Sequence, residues 1–223
     1  MKKWGLAVAG LYGLLLLILT WPVVKIALMQ HKETINAANL FTAWQYWVWL
    51  VVFVVGQYLF LAVPVDLADK RPVSKRSLIF QIMASSLMLG ILVGGCAISV
   101  GEAIKKELVS MWVFWSALGI SWVFWSVVFL RWRLKADPKV FLEKQCRFLF
   151  RGSILELLVA VPTHILARGR GYCCAGFETV IGISCGIAVM LFSFGPGIYF
   201  LYVDRWAKLH PKGTGQASQT QDS

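Results

Sequence analysis

Residues 78–100 read LIFQIMASSLMLGILVGGCAISV, a run of apolar and small residues without a single charged side chain. A helix needs roughly 20 apolar residues to cross the ~30 Å hydrocarbon core of a bilayer, so this run predicts a transmembrane helix. Similar runs recur along the 223-residue chain, which is 58% hydrophobic and 15% charged. Ordinary soluble domains carry roughly 25% charged residues. The sequence therefore predicts an all-α integral membrane protein.

Six such runs predict a polytopic bundle in a single transmembrane domain, residues 1–209, with a disordered Gly-, Ser-, Thr- and Gln-rich tail over 210–223. The first run resembles a signal peptide, but residues 20–25 lack the small side chains of a cleavage site, which favours a retained helix. The helices are expected at about 4–28, 40–63, 78–100, 110–130, 145–167 and 179–203.

The net charge of +11 lies mainly in the short connections between apolar runs, where Lys and Arg orient helices. No basic and aromatic stripe lies on a soluble domain, so nucleic acid is not expected as a partner. With the N-terminus cytoplasmic, the basic connections 66–76 and 131–151 are cytoplasmic too and can meet anionic lipid headgroups. This pattern favours a multi-pass protein of the cell membrane, such as a bacterial inner membrane. Asp137-Pro138 predicts a helix start, with Phe141 and Phe148 embedding in the membrane.

The fifth run is the ambiguous one. Residues 153–167 would be only about 22 Å long as a helix, short of the ~30 Å core. A start near Gln145 gives enough length and leaves Arg147 and Arg151 to snorkel towards headgroups, which places the C-terminus inside. The alternative is a short, re-entrant or interfacial segment with the tail outside.

Small residues at four-residue spacing predict close helix packing, within the bundle or against membrane-protein partners. They are Ser86, Gly90 and Gly94 in the third run and Gly182 and Gly186 in the last. Gly195-Pro196 predicts a kink or break in the last helix. Trp112, Trp115, Trp122 and Trp125 share one helical face, which indicates groove filling or lipid contact more than cofactor stacking.

The fifth run also holds the best candidate site. On a helix, Ser153, Glu156, Ala160 and Thr163 form one small and polar stripe, with His164 at its edge. Because ionisable groups are costly in hydrocarbon, such a face belongs inside the bundle. Glu156 and His164 are the candidate catalytic or proton-relay residues; the alternative is a structural hydrogen bond between helices.

Two further candidates follow in a Gly-rich segment. Cys173 and Cys174, with His164, offer weak metal or redox ligands, since adjacent cysteines lack the spacing of zinc sites. Arg168 and Arg170 could bind an anion or a lipid headgroup. No cofactor-binding residue is identified, and no cofactor can be named.

No catalytic motif is found, so whether the chain is an enzyme stays open, with a non-enzyme favoured. The sequence favours an accessory or scaffold subunit of a membrane assembly. One alternative is a small membrane enzyme or metal/redox protein using Glu156, His164, Cys173 and Cys174. The other is a transporter or channel.

Overall fold

The computed structural model describes residues 2–30, 44–68, 72–73, 75–104, 111–134, 137–169 and 177–209. Six stretches in this part of the chain are helices long and apolar enough to cross a membrane. The predicted all-α polytopic bundle is therefore confirmed. The expected tail over 210–223 lies outside the described residues. The helices are α1 Lys2–Gln30, α2 Trp44–Phe60, α3 Ala62–Ala68, α4 Lys75–Ile104, α5 Met111–Arg133, α6 Pro138–Arg168 and α7 Phe177–Leu209.

The second span consists of α2 and the short α3, which are separated at Leu61. Backbone hydrogen bonds still cross the junction, from Leu61 N to Gln57 O and from Val65 N to Leu61 O, both 3.0 Å. The interruption precedes Pro64, whose ring crowds the carbonyl four residues earlier, that of Phe60. The two helices thus share one membrane crossing.

The fifth span differs from its expected form. Helix α6 begins at Pro138 and runs for 31 residues to Arg168 without a break. At 1.5 Å per residue it is about 46 Å long, so it is not short and is long enough to cross a bilayer. Asp137 stands at the N-cap position and Pro138 in the first turn, as the sequence predicts. The basic segment after Asp137 is therefore the first part of the spanning helix.

The same helix corrects the expected membrane contacts of its aromatic residues. Phe141 and Leu149 are buried within the bundle. Phe148 packs its ring edge against Trp125 of α5, with centroids 5.4 Å apart. These side chains therefore join α6 to its neighbours, while Arg147 and Arg151 remain on the exposed face.

Helix α4 lies at the centre of the bundle and contacts α5, α6 and α7. Its small-residue face packs against α5, as the four-residue spacing predicts. A Cβ on Gly90 would lie 3.0 Å from the Leu118 carbonyl, and one on Gly94 would lie 2.8 Å from the Phe114 ring. The hydroxyls of Ser86 and Ser126 are hydrogen-bonded at 2.8 Å.

Helix α7 continues through Pro196, so the helix is not broken at Gly195-Pro196, and the alternative of a kink stays a prediction. Tyr12 Oη of α1 donates to the Ala188 carbonyl of α7 at 2.9 Å. The amide of Gln57 occupies the space where a Cβ of Gly195 would stand. Glycine at this position lets α2 and α7 approach closely.

The tryptophans of α5 divide between lipid and protein. Trp112 is 79% exposed and Trp115 is 59% exposed. Trp122 Nε1 donates to the Met83 carbonyl at 3.3 Å, and Trp125 packs on Phe129 and Phe148. Most of the surface of α5 lies outside the bundle, since only 11% of the residues in its apolar stretch are buried.

Among the described residues, most cationic side chains lie at one end of the bundle. At one end, Trp4 at the start of α1 stacks on Tyr202 near the end of α7, with centroids 5.3 Å apart. Lys144 of α6 lies 4.1 Å from the ring centroid of Trp132 there. We call this the basic end; it carries Lys3, Lys75, Arg76, Arg131, Arg133, Lys139, Arg205 and Lys208. The opposite end contains the last turns of α4 and α6 and the first turn of α7.

Candidate functional site

The predicted polar stripe of α6 lies in the bundle interior. Ser153 and Ala160 are fully buried, and Glu156 is 1% exposed. Ser153 and Thr163 satisfy their hydroxyls on their own helix, with Ser153 Oγ donating to the Leu149 carbonyl at 2.9 Å. Glu156 is different. Neither of its carboxylate oxygens has a hydrogen-bond partner among the described residues.

Three glycines make room for this carboxylate. A Cβ on Gly95 of α4 would lie 3.3 Å from Glu156 Oε1, and one on Gly182 of α7 would lie 3.2 Å from the same atom. A Cβ on Gly186 would overlap Glu156 Oε2. The glycine pair of α7 is therefore a close-packing pair, but it packs around a side chain of α6. Any larger residue at these positions would compete with the carboxylate for space.

Ser99 lies beside this carboxylate on α4. Its hydroxyl is fully buried and has no hydrogen-bond partner in the described part of the chain. A Cβ on Gly182 would lie 2.5 Å from Ser99 Oγ, so the hydroxyl and the Glu156 carboxylate border the same glycine. These three unsatisfied oxygens in one buried place require an explanation, because buried polar groups are almost always paired.

A second polar group lies one helical turn closer to the opposite end. The backbone amide of Thr179 donates to Glu102 Oε2 at 3.0 Å. His164 Nδ1 and Thr179 Oγ1 are hydrogen-bonded at 2.8 Å. This group joins α4, α6 and α7. Glu102 is only 3% exposed although it lies two residues from the end of its helix.

Together these residues form what we call the polar column: Gly95, Ser99 and Glu102 of α4, Glu156 and His164 of α6, and Thr179, Gly182 and Gly186 of α7. It extends inward from the opposite end. Glu156 lies about 18 Å along α6 from Arg168, at ~1.5 Å per residue. The carboxylate is thus well inside the span, where ionisable groups mark functional sites.

The column stops at an apolar layer. Met88 and Leu92 of α4 and Leu149 of α6 are buried there. Leu92 packs against Gly152 of α6, where an added Cβ would lie 3.2 Å from a methyl carbon of Leu92. Between this layer and the basic end the interior is polar again, with the buried side chains of Gln81, Ser85 and Gln145.

Those three side chains are linked to one another. Gln81 Nε2 donates to Gln145 Oε1 at 2.5 Å, and Gln145 Nε2 donates to Ser85 Oγ at 2.9 Å. Ser85 Oγ in turn donates to the Gln81 carbonyl at 2.9 Å. The interior of α4, α6 and α7 is therefore polar near both ends and apolar between them.

The proposed metal and redox residues are only partly placed. Cys173, Cys174 and Arg170 lie outside the described residues, while Arg168 is exposed in the last turn of α6. Among the described residues, no three His, Cys, Asp or Glu side chains come together as metal ligands. Cys96, Cys146 and Cys185 are free thiols on three helices. The roles assigned to His164 and the Cys pair stay predictions.

A separate cavity of about 270 Å³ lies between α1, α2 and α7. Val8, Tyr12, Gln57, Leu191 and Phe194 are among its lining residues, which include no carboxylate, imidazole or thiol. The cavity is apolar and contains none of the sequence-predicted site residues. The polar column is therefore the better candidate site.

Sequence reasoning found Glu156 and His164 but missed their neighbours on α4 and α7. Glu102 was assigned to the connection 101–109, because the apolar run ends at Val100. The spacing of Gly95, Ser99 and Glu102, at four and three residues, would have placed all three on one helical face. Which helix that face meets is not encoded in the spacing.

No protein-family model, no curated protein and no solved structure matches this chain. The column is accordingly interpreted from its own chemistry.

Proposed function

We propose that this membrane protein moves a proton or a monovalent cation across the bilayer, with Glu156 as the group that binds it. The carrying observation is the Glu156 carboxyl group, which is 1% exposed and unpartnered among the described residues. A carboxyl group buried in this way destabilises a fold, since an unsatisfied polar group costs about 1–3 kcal/mol. Its presence is best explained by a ligand that binds there, as in proton and ion pathways.

The polar column supports one-sided access to this group. From the opposite end, the His164–Thr179–Glu102 group precedes Ser99 and Glu156. Towards the basic end, the apolar layer of Met88, Leu92 and Leu149 separates Glu156 from Gln145. An ion that enters by the column would be released on the other side only after α4, α6 and α7 rearrange. This is the alternating access of transporters that bind substrate deep within the membrane.

The charge distribution supports an orientation for this transport. We propose that the basic end is cytoplasmic, in contact with anionic headgroups, and that the N-terminus lies on that side of a cell membrane such as a bacterial inner membrane. With six crossings, the C-terminus is cytoplasmic as well. The polar column then opens to the external side.

An accessory or scaffold role has less support. It was favoured by abundant packing surface, modest loops and the lack of a soluble catalytic domain in the sequence. The small-residue faces offered to partners pack within the bundle instead, since Gly90 and Gly94 pack against α5 and Gly182 packs against Gly95 and Glu156. The exposed surface of α5 is apolar, as any lipid-facing helix would be. The metal or redox alternative uses Cys173 and Cys174 with Glu156 and His164, and these two cysteines lie outside the described residues.

Flux in proteoliposomes tests the proposal. Purified protein is reconstituted with K⁺ and valinomycin to compensate the moved charge, and two fluxes are measured: proton movement with a pH-sensitive dye inside under an imposed pH gradient in choline chloride, and radioactive Na⁺ uptake under an imposed NaCl gradient. We expect wild-type vesicles to exceed empty ones under at least one gradient. Glu156→Gln should abolish the difference, because the amide cannot take up a proton or balance a cation.

Leu155→Met serves as the matched control, since Leu155 is the exposed neighbour on the same helix. It should leave the flux unchanged. Wild-type vesicles that match empty ones under both gradients, or a Glu156→Gln flux equal to wild type, would refute transport through this carboxylate.

A further inference from the structure

A hydroxyl, a carboxylate and a carbonyl oxygen lie close to the side of Gly182 from which a side chain would project. A Cβ on this residue would lie 2.5 Å from Ser99 Oγ, 3.2 Å from Glu156 Oε1 and 3.3 Å from the Gly95 carbonyl oxygen. Because glycine lacks this atom, the oxygens meet no side chain there. Hard cations such as Ca²⁺ bind oxygen ligands at roughly 2.3–2.6 Å. A cation held between these three oxygens would lie beyond the Cβ position, clear of Gly182 Cα, and the oxygens would adjust around it.

All three groups can accept a cation. Glu156 and Ser99 are buried and have no hydrogen-bond partner among the described residues. The Gly95 carbonyl lies inside a helix, but a carbonyl oxygen has a second lone pair beyond the one used by the helix. A proton on Glu156 would give this carboxyl group a donor but would bring no new ligand to Ser99 Oγ or to the free lone pair of the Gly95 carbonyl. A bound cation satisfies them together.

The single carboxylate of the site favours a monovalent over a divalent cation. One carboxylate and one monovalent cation are neutral together, which suits a position inside the bilayer. A divalent cation would leave a net positive charge there, and the next carboxylate, Glu102, already accepts a hydrogen bond from the Thr179 amide. A doubly charged ion is therefore disfavoured.

From this geometry we infer that the site binds a dehydrated monovalent alkali cation, with Na⁺ as the natural probe, through Glu156, Ser99 and the Gly95 carbonyl. This inference rests on the proposed function and specifies Na⁺ as the ion that is transported. The helix backbones at Gly182 and Gly186 lie close to the carboxylate, so the small ions Na⁺ and Li⁺ should bind more tightly than K⁺.

Binding is measured on the purified full-length chain in detergent by thermal unfolding and calorimetric titration. NaCl, LiCl or KCl replaces choline chloride at constant ionic strength. We expect a saturable rise in the unfolding midpoint with Na⁺ and Li⁺, and a smaller one with K⁺. Each variant is compared with itself in choline chloride, so that a change in its basal stability does not enter the result.

Two variants test the ligands. Ser99→Ala removes one oxygen and should weaken Na⁺ binding at least tenfold. Gly182→Ala places a methyl group among the three oxygens and should abolish the Na⁺ response. Gly119→Ala is the matched control, because a Cβ there meets nothing within 4 Å, and it should respond like wild type.

The outcomes separate this inference from the proposed function. A wild-type protein with no Na⁺-specific response, equal responses to Na⁺ and K⁺, or unchanged binding in Ser99→Ala and Gly182→Ala would each overturn the inference. A Glu156-dependent proton flux would still support transport in those cases. Saturable, Ser99-dependent Na⁺ binding without any flux would support the cation site and refute transport.

Discussion

Replacing Glu156 by methionine should stabilise the protein while abolishing its transport. Methionine has nearly the length of glutamate and no polar oxygen, so it can fill the same space between α4, α6 and α7 without an unpaired group. The native carboxyl group is 1% exposed and unpartnered among the described residues. Most substitutions at buried positions destabilise, which makes an increase in stability a distinctive result.

The magnitude follows from the group that is removed. Leaving a buried polar group unsatisfied costs about 1–3 kcal/mol. In a protein of this length each kcal/mol shifts the unfolding midpoint by roughly 2–4 °C. Glu156→Met should therefore raise the midpoint in Na⁺-free buffer by roughly 2–12 °C. Residues at functional sites often lower the free energy of unfolding, because they are kept for activity and not for stability.

Thermal unfolding in detergent, followed by tryptophan fluorescence and by size-exclusion chromatography of heated samples, measures this shift. Leu155→Met is the control and should stay within ~0.5 kcal/mol of wild type, since its side chain is 65% exposed on the outer face. A lower midpoint for Glu156→Met would show that the carboxyl group stabilises the bundle, and the argument for a ligand site would fail.

Two further predictions concern helix packing. Gly90→Val should destabilise the chain by about 1–3 kcal/mol, because the added atoms meet the Leu118 carbonyl. The control Gly119→Val, where a Cβ meets nothing within 4 Å, should change the unfolding midpoint little. Equal unfolding midpoints for the two variants would contradict the packing of α4 on α5. Gln145→Leu should cost about 1–3 kcal/mol by leaving the Gln81 amide unpaired. The double variant with Gln81→Leu should recover part of that loss in a double-mutant cycle, and strictly additive losses would show that the two amides do not interact.

The sequence could predict much of the fold because the bilayer restricts the choices. Backbone groups in hydrocarbon must be satisfied within the segment, so a run such as 78–100 can only be a helix. Asp137-Pro138 likewise identified the start of α6. The length of α6 was underestimated because charged residues from Lys139 to Arg151 do not resemble a span, although a long helix can carry them on its exposed face.

The candidate site was predictable only in part. The α6 stripe through Glu156 follows from helical spacing, and the cost of burying a carboxylate directs that stripe inward. Its partners do not follow, because spacing within one helix contains no information on which neighbouring helix it meets. Gly182 was expected to admit a helix backbone and does lie close to the Gly95 carbonyl of α4, but Gly182 and Gly186 also admit the side chain of Glu156, which spacing alone did not predict.

The sequence by itself thus determined the class of the protein, favoured six spans over five, and identified the helix face that carries Glu156. Only the tertiary structure decided that Ser99 and Glu102 of α4 and Thr179 of α7 share the interior with that face. The physical reason is that apolarity and period are local properties of a chain, whereas the convergence of oxygens around Gly182 depends on how three helices pack.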